Sequence, residues 1–215
     1  YQLFIELVQG DPFAAPSALR IFVPHSKAKF PERYYWDKCS KVALQDALLR
    51  RFAEISAKFC YQAKGSGKSG VIQVSHCGQE VLERTACEIT KEGIHIRFFV
   101  GFPANGRTIN SGELEKILFV YLPKCVEMSL YHRKVPERET EQVICLKEDQ
   151  RVIREELKKR GLIAFVANGS ILPRQSGNSD LPMKDAIPFQ SPKSMEITIR
   201  LRHRDSITGM GIRKG

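Results

Sequence analysis

Apolar positions along this chain switch repeatedly between alternating and helical spacing, which predicts short strands interleaved with a few helices. Residues 3–8 and 19–23 are rich in β-formers and flank a loop marked by Pro12 and Pro16, so they predict two strands with an ordered connection. Behind Ser40, a good N-cap, Leu44, Leu48, Phe52, Ile55 and Phe59 recur at helical spacing and predict a helix over about 41–59. A short apolar run, 71–74, follows. Residues 81–89 and 94–100 flank Lys91-Glu92-Gly93, the pattern of an antiparallel hairpin. Asn110 with Glu113 three residues on forms a capping box for a helix over about 111–122, and Pro123 marks a break or a new start.

Toward the C-terminus, the polar stretch 132–140 (HRKVPERET) is the best internal linker candidate. Residues 147–160 predict a charged surface helix, with Glu155/Lys159 and Glu156/Arg160 at supportive spacing and Gly161 as its stop. Residues 162–167 predict a buried strand. A long irregular loop, 168–193, leads to an amphipathic strand at 195–201, and loops of that length are usually functional or disordered. The mixed order predicts an α+β fold with mixed or antiparallel sheets and flanking helices.

Composition narrows the partners. No run approaches the roughly 20 apolar residues that a membrane span needs, so no membrane partner is expected. The net charge of +10, from 34 Lys+Arg against 24 Asp+Glu, favours anionic partners: RNA, DNA, nucleotides or an acidic protein face. The six cysteines contain no CxxC pair and read as reduced thiols of an intracellular protein. The five histidines are dispersed, no metal site is expected, and His76 beside Cys77 reads as a structural or solvated pair. The chain opens at Tyr1 without an initiator Met and is read as a fragment of a longer protein.

Candidate chemistry centres on the run Lys64-Gly65-Ser66-Gly67-Lys68-Ser69-Gly70. It resembles a phosphate cradle, but a P-loop needs a glycine where Gln62 stands, and it needs to follow a strand and open a helix. Here the predicted order is helix, loop, strand. Two readings stay open: flexible amides plus Lys64 and Lys68 gripping a phosphate, or a Gly/Ser loop kept in water by its lysines. Arg84 is either a phosphate ligand or half of a structural ion pair, and strand alternation should keep it off the face of Glu83. The loops 101–107 (GFPANGR) and 168–177 (NGSILPRQSG) each combine glycines with one arginine, Arg107 and Arg174, as expected where amides and a guanidinium meet an anion. Ordinary turn chemistry explains the same composition. Arg200, Arg202 and Arg204 would share one face of a strand, suited to a nucleic-acid backbone or to a solvated sheet face. No catalytic constellation is evident.

Taken in order, QGDPFAAPS at 9–17, GSGKSG at 65–70, GQEVLERT at 78–85, RFFVGFPANGR at 97–107, LIAFVANGSILPRQSG at 162–177, AIPFQSP at 186–192 and GMGI at 209–212 resemble a family of predicted ABC-class ATPases of bacteria, fungi, plants and kinetoplastid protists. The resemblance covers nearly the whole chain. It implies an N-terminal α+β accessory domain over 1–193, followed over 194–215 by the first strands of an ABC nucleotide-binding core whose Walker A loop lies shortly after GMGI, beyond Gly215. It further implies ATP or ADP with Mg²⁺ in the full-length protein, homodimerisation, and no hydrolysis by this fragment alone. The kinetoplastid member is similar to a mitochondrial RNA-editing accessory ATPase that binds RNA within a larger RNA-processing complex. On that resemblance the setting is mitochondrial, otherwise cytoplasmic. RNA or another anion is then expected at Lys64, Gly65, Gly67, Lys68, Ser69, Arg84, Arg107, Arg174, Arg200, Arg202 and Arg204. Two competing expectations are a self-contained kinase using 65–70 as its own P-loop, and a structural dimerisation module.

Overall fold

The first two apolar runs form strand β1 (Gln2–Leu7) and strand β2 (Ser17–Pro24), paired antiparallel. In a computed structural model that describes residues 1–215, a single helical turn, α1 (His25–Ala28), follows them. The long helix α2 (Lys38–Ala57) begins ahead of the expected start, because its cap is Asp37 and not Ser40. The Asp37 carboxylate accepts from the Cys39 and Ser40 amides at 2.6 and 3.1 Å. A charged acceptor at the positive end of the helix wins over a neutral hydroxyl.

Strands β3 (Ile72–Gln73), β4 (Cys87–Ile89) and β5 (Gly93–Val100) complete the main sheet. Strand β5 lies against β2 along its whole length on one side, and pairs with β4 and β3 at its two ends on the other. The expected hairpin is therefore real but short, because residues ahead of Cys87 leave the sheet to dock on α2. A small hairpin, β6 (Ala104–Asn105) and β7 (Thr108–Ile109), turns at Gly106. Helix α3 (Ser111–Lys116) starts with Asn110 accepting from the Glu113 amide, but only this half of the expected capping box forms, because the Asn110 amide donates to the Pro103 carbonyl and the Glu113 carboxylate is taken by the Lys64 amide and Lys116. A π-helical turn, Ile117–Tyr121, then leads into α4 (Leu122–Leu130), with Pro123 in its first turn. Proline has no N–H and its ring collides with the carbonyl four residues back, so the helix widens there instead of continuing regularly.

The core lies between the sheet and α2. Leu19, Ile21 and Val23 of β2 and Ile94, Ile96 and Phe98 of β5 are all buried, as are Leu44, Leu48, Leu49 and Phe52 of α2. Each such side chain contributes about 1.5–3 kcal/mol on burial. Phe52 meets Phe98 with ring centroids 5.3 Å apart. On the opposite face of the same strands, Phe22 stacks on His95 at 4.7 Å and Arg20 lies 4.1 Å over Phe4. Arg20 donates to Nδ1 of His95 at 3.2 Å, which requires that nitrogen to be unprotonated. Burial and the Arg20 charge hold this imidazole below its usual range. Because the folded-state pKa is depressed, the stabilisation is present above the ordinary histidine range and is lost as pH falls through it. Melting temperature recorded from about pH 7.5 to 5 should fall on acidification, and less steeply in His95→Gln.

Helix α5 (Glu137–Lys159) starts well before the expected residue 147. The predicted linker instead holds one 3₁₀ turn, His132–Lys134, followed by Pro136 and the acidic first turn of α5, a favourable way to open a helix. The chain divides within α5 into Tyr1–Val143 and Ile144–Gly215. In the second unit, β8 (Leu162–Ala167), β9 (Glu196–Arg200) and β10 (Ser206–Arg213) form an antiparallel sheet in the order β8-β10-β9. Strand β8, expected with the N-terminal region and ahead of a boundary at 193/194, is thus built into the same sheet as the C-terminal strands. It is also not the buried strand its apolar run predicts, since Ile163 is 63% exposed and no residue of it is fully covered. No helix is long and apolar enough to cross a membrane.

Candidate functional site

Three of the motif segments, 9–17, 65–70 and 101–107, are tied into one knot at the β5 C-terminal end. Gln9 spans two of them: its Oε1 accepts from the Phe102 amide at 3.0 Å, its Nε2 donates to the Phe102 carbonyl at 3.3 Å, and its own amide donates to Ser17 Oγ at 3.1 Å. Asp11 closes the turn after it by accepting from the Phe13 and Ala14 amides. The carbonyl of Pro12 then accepts from the Lys68 amide at 2.8 Å.

The glycine loop is fastened equally to the third segment. Ser66 donates its amide to the Ala104 carbonyl at 2.8 Å and accepts from the Gly106 amide on Oγ at 3.0 Å. Ser69, buried, accepts from the Ala104 amide on Oγ and donates that hydroxyl to the Ser66 carbonyl at 2.5 Å. The Gly70 amide donates to Gly101, and the Gly101 amide donates to Val71, both at 2.9 Å.

This bonding explains the glycines. A Cβ on Gly65 would stand 2.7 Å from the Ala104 carbonyl oxygen, one on Gly67 2.4 Å from that of Pro12, and one on Gly70 2.1 Å from that of Ala63. Gly67 and Gly70 also hold positive φ, +60° and +77°. A phosphate cradle needs a run of free amides, whereas those of Ser66, Lys68, Ser69 and Gly70 all donate within the protein. With those four amides engaged, Gly65, Gly67 and Ser69 let three backbone segments cross at close range.

What the knot turns outward is different chemistry. Lys68 and Arg107 are exposed, with no side-chain partner, and Lys64 donates only to the Tyr61 carbonyl. Phe13 is 65% exposed and its ring edge lies beside Gly67. The Glu113 carboxylate is engaged by Lys116 and by the Lys64 amide, which hold it below the usual carboxylate range, and it also faces the Lys64 charge, while Asp11 is turned onto the Phe13 and Ala14 amides. An exposed ring beside exposed cations, of which Lys68 and Arg107 have no partner, is thus carried on the knot. Phe13 is the member that sequence reading missed, although it sits inside the QGDPF string.

Arg84 lies elsewhere in the first unit and is committed. Its Nε pairs with Asp46 at 3.4 Å and its Nη2 donates to the Glu80 carbonyl at 3.2 Å. Asp46, on α2 and only 2% exposed, also receives Arg50 at 2.5 Å, and Arg50 in turn donates to the Gly78 carbonyl at 2.7 Å. Glu83 pairs with Lys38 instead, at 3.0 Å. The 78–85 motif is a strap clamped to α2 by one buried carboxylate. Beside it, burial pushes the Cys77 thiol up, the opposite of an activated nucleophile.

The remaining arginines belong to the second unit. Arg174 approaches Asp180 at 4.0 Å, and the amides of Gly169 and Ser170 in its loop donate to the Phe189 and Ala167 carbonyls. Arg200, Arg202 and Arg204 do not share a strand face: β9 ends at Arg200, and the other two lie in the turn before β10. Adjacent buried carboxylates on α5 explain the early stop. Asp149 accepts from the amides of Arg202 and His203, both at 3.0 Å, while Glu148 receives His203 Nε2 at 2.5 Å and Arg202 at 3.6 Å. Arg204 stays exposed.

Residues 1–133 match the family model described as ATPase of the ABC class, N-terminal, and residues 136–215 match the one described as its P-loop domain. The chain belongs to the ABC-class ATPases. No curated protein matches it. In this ABC-class ATPase the 65–70 loop falls inside the N-terminal match and outside the P-loop match, in agreement with its spent amides. Neither finding supports a self-contained kinase using that loop. The P-loop domain makes the family nucleotide-binding, and the residues matched to it hold α5 and the β8-β10-β9 sheet.

Proposed function

We propose that this ABC-class ATPase binds single-stranded RNA through the outward face of the 9–17, 65–70 and 101–107 knot. The observation that supports the reading is the exposed Phe13 ring at Gly67, set among the exposed side chains of Lys64, Lys68 and Arg107, the last two without any partner. Unstacked bases lie flat on such rings while cations track the adjoining phosphates, and the pairing tolerates any sequence. The net charge of +10 supports it. ATP or ADP with Mg²⁺, bound by the P-loop core, would supply the energy that couples RNA binding to work, and a homodimer would present two such faces. The resemblance to a kinetoplastid mitochondrial RNA-editing accessory ATPase suggests a larger RNA-processing complex in the mitochondrion as the setting.

The test is equilibrium binding of a short labelled single-stranded RNA across a salt series. Lys68→Ala with Arg107→Ala should flatten the log-log salt dependence by about 1.4, two phosphate contacts at about 0.7 each. Phe13→Ala should leave that slope unchanged and weaken binding by about 1–3 kcal/mol. An unchanged slope in the double variant would remove the knot from the interface.

A further inference from the structure

A ligand-sized depression opens at the opposite end of β5 from the knot, roughly 23 Å away at ordinary strand rise. Its volume is about 830 Å³, and its walls include His25, Tyr35, Trp36, Lys41 and Lys91. The His25 and Tyr35 rings are stacked and nearly parallel, 4.5 Å between centroids and 6° between planes. His25 Nε2 donates to the Thr90 carbonyl at 2.9 Å and fixes that stack against the β4–β5 turn. Burial, and then the charge of Glu32, push the Tyr35 phenol up, so it stays a neutral hydrogen-bonding group. Beside this wall stands Trp36, the one tryptophan of the chain, 71% exposed.

Charge decides what kind of ring the wall suits. Lys41 and Lys91 form no ion pair, while Glu88, which shares the depression, is held by Arg97 at 3.0 Å. Glu32 also lines the depression without an ion pair, so its unpaired charges are two lysines against one carboxylate, a net positive lining that favours an anionic guest. A planar heterocycle joined to a phosphate matches both halves: the ring against indole and the His25–Tyr35 stack, the anion between the lysines. The geometry points to a nucleotide site here, and we propose that this pocket takes one nucleotide unit, either free or within a single strand. It stands apart from the knot and does not rest on the RNA reading of that face.

Trp36 makes the pocket its own reporter. The whole chain is titrated with AMP, adenosine, inorganic phosphate and a short oligoadenylate while indole emission is followed. AMP should quench saturably and phosphate alone should not. Lys41→Ala with Lys91→Ala, both outward-facing and checked for folding by circular dichroism, should weaken AMP about tenfold or more while leaving adenosine unaffected. Tighter quenching by the oligomer than by AMP identifies a strand as the source, and the reverse order identifies a free nucleotide. Lys64→Ala with Lys68→Ala should leave the response intact, which separates this site from the knot. Absence of saturable quenching by both AMP and the oligomer, quenching reproduced by phosphate alone, or an unchanged AMP affinity in the Lys41/Lys91 variant would overturn the proposal.

Discussion

Gly101→Ala is expected to lower the stability of the Tyr1–Val143 unit by about 3 kcal/mol or more, the largest effect of any single methyl group in this protein. The added Cβ would lie 1.8 Å from the Lys68 carbonyl oxygen and 2.8 Å from its carbon, both main-chain atoms that no rotamer change can move. Relief requires the 65–70 loop to separate from β5, breaking the Gly70-to-Gly101 and Gly101-to-Val71 bonds together. Buried amides and carbonyls left unpaired by that movement cost about 1–3 kcal/mol each. Gly106→Ala is the control. Its φ is +61°, but nothing lies within 4 Å of its Cβ, so only the backbone penalty of about 1–2 kcal/mol should appear. Urea unfolding followed by Trp36 emission reads the unit directly, because the indole lies within it. Equal midpoints for the two variants would show that the knot is not the tight crossing described.

Asp46→Ala should cost about 3 kcal/mol by the same measurement. Removing this carboxylate leaves Arg50 and Arg84 facing one another without the anion that holds both, and breaking a buried pair from one side typically costs about 3–5 kcal/mol. The lower end applies because both guanidinium groups retain some contact with water, with side-chain exposures of 39% and 20%. The strap at 78–85 should also loosen, since its attachments at Gly78 and Glu80 are made through those same two arginines. Limited proteolysis between residues 74 and 86 would register this as new cleavage, and Arg84→Ala should produce a weaker version of it. A double-mutant cycle between Asp46 and Arg84 separates their coupling from general destabilisation. Resistance to protease in Asp46→Ala would mean that the strap is held by other means.

Much of the secondary structure was legible from local pattern. The alternation in β2, the helical spacing in α2 and the Asn110 cap each depend on residues a few positions apart, and each gave the expected element, although α2 is capped by Asp37 and the Glu113 carboxylate is spent elsewhere. The misreadings share a cause. Residues 81–86 have strand-like composition but are drawn off the sheet by Arg84 reaching Asp46, which is 38 positions earlier. Arg202 and Arg204 continue an alternating pattern but leave the strand because Asp149 captures two consecutive amides. In both places a buried carboxylate distant in sequence outbids the local preference, and a period of two carries no trace of it.

The glycine loop draws the line most sharply. Sequence alone determined that 65–70 must run where side chains cannot, that its helix–loop–strand order is wrong for a nucleotide P-loop, and that the chain carries excess positive charge. Whether the missing side chains made room for a phosphate or for another stretch of backbone was decided only by the tertiary structure. The two uses demand the same residue type, because both exploit the absence of a Cβ, and they differ only in what the amides meet. Here they meet the carbonyls of Pro12, Gly101 and Ala104, groups contributed by other parts of the chain. The lysines, Arg107 and Phe13 are consequently left on the outside, exposed to solvent.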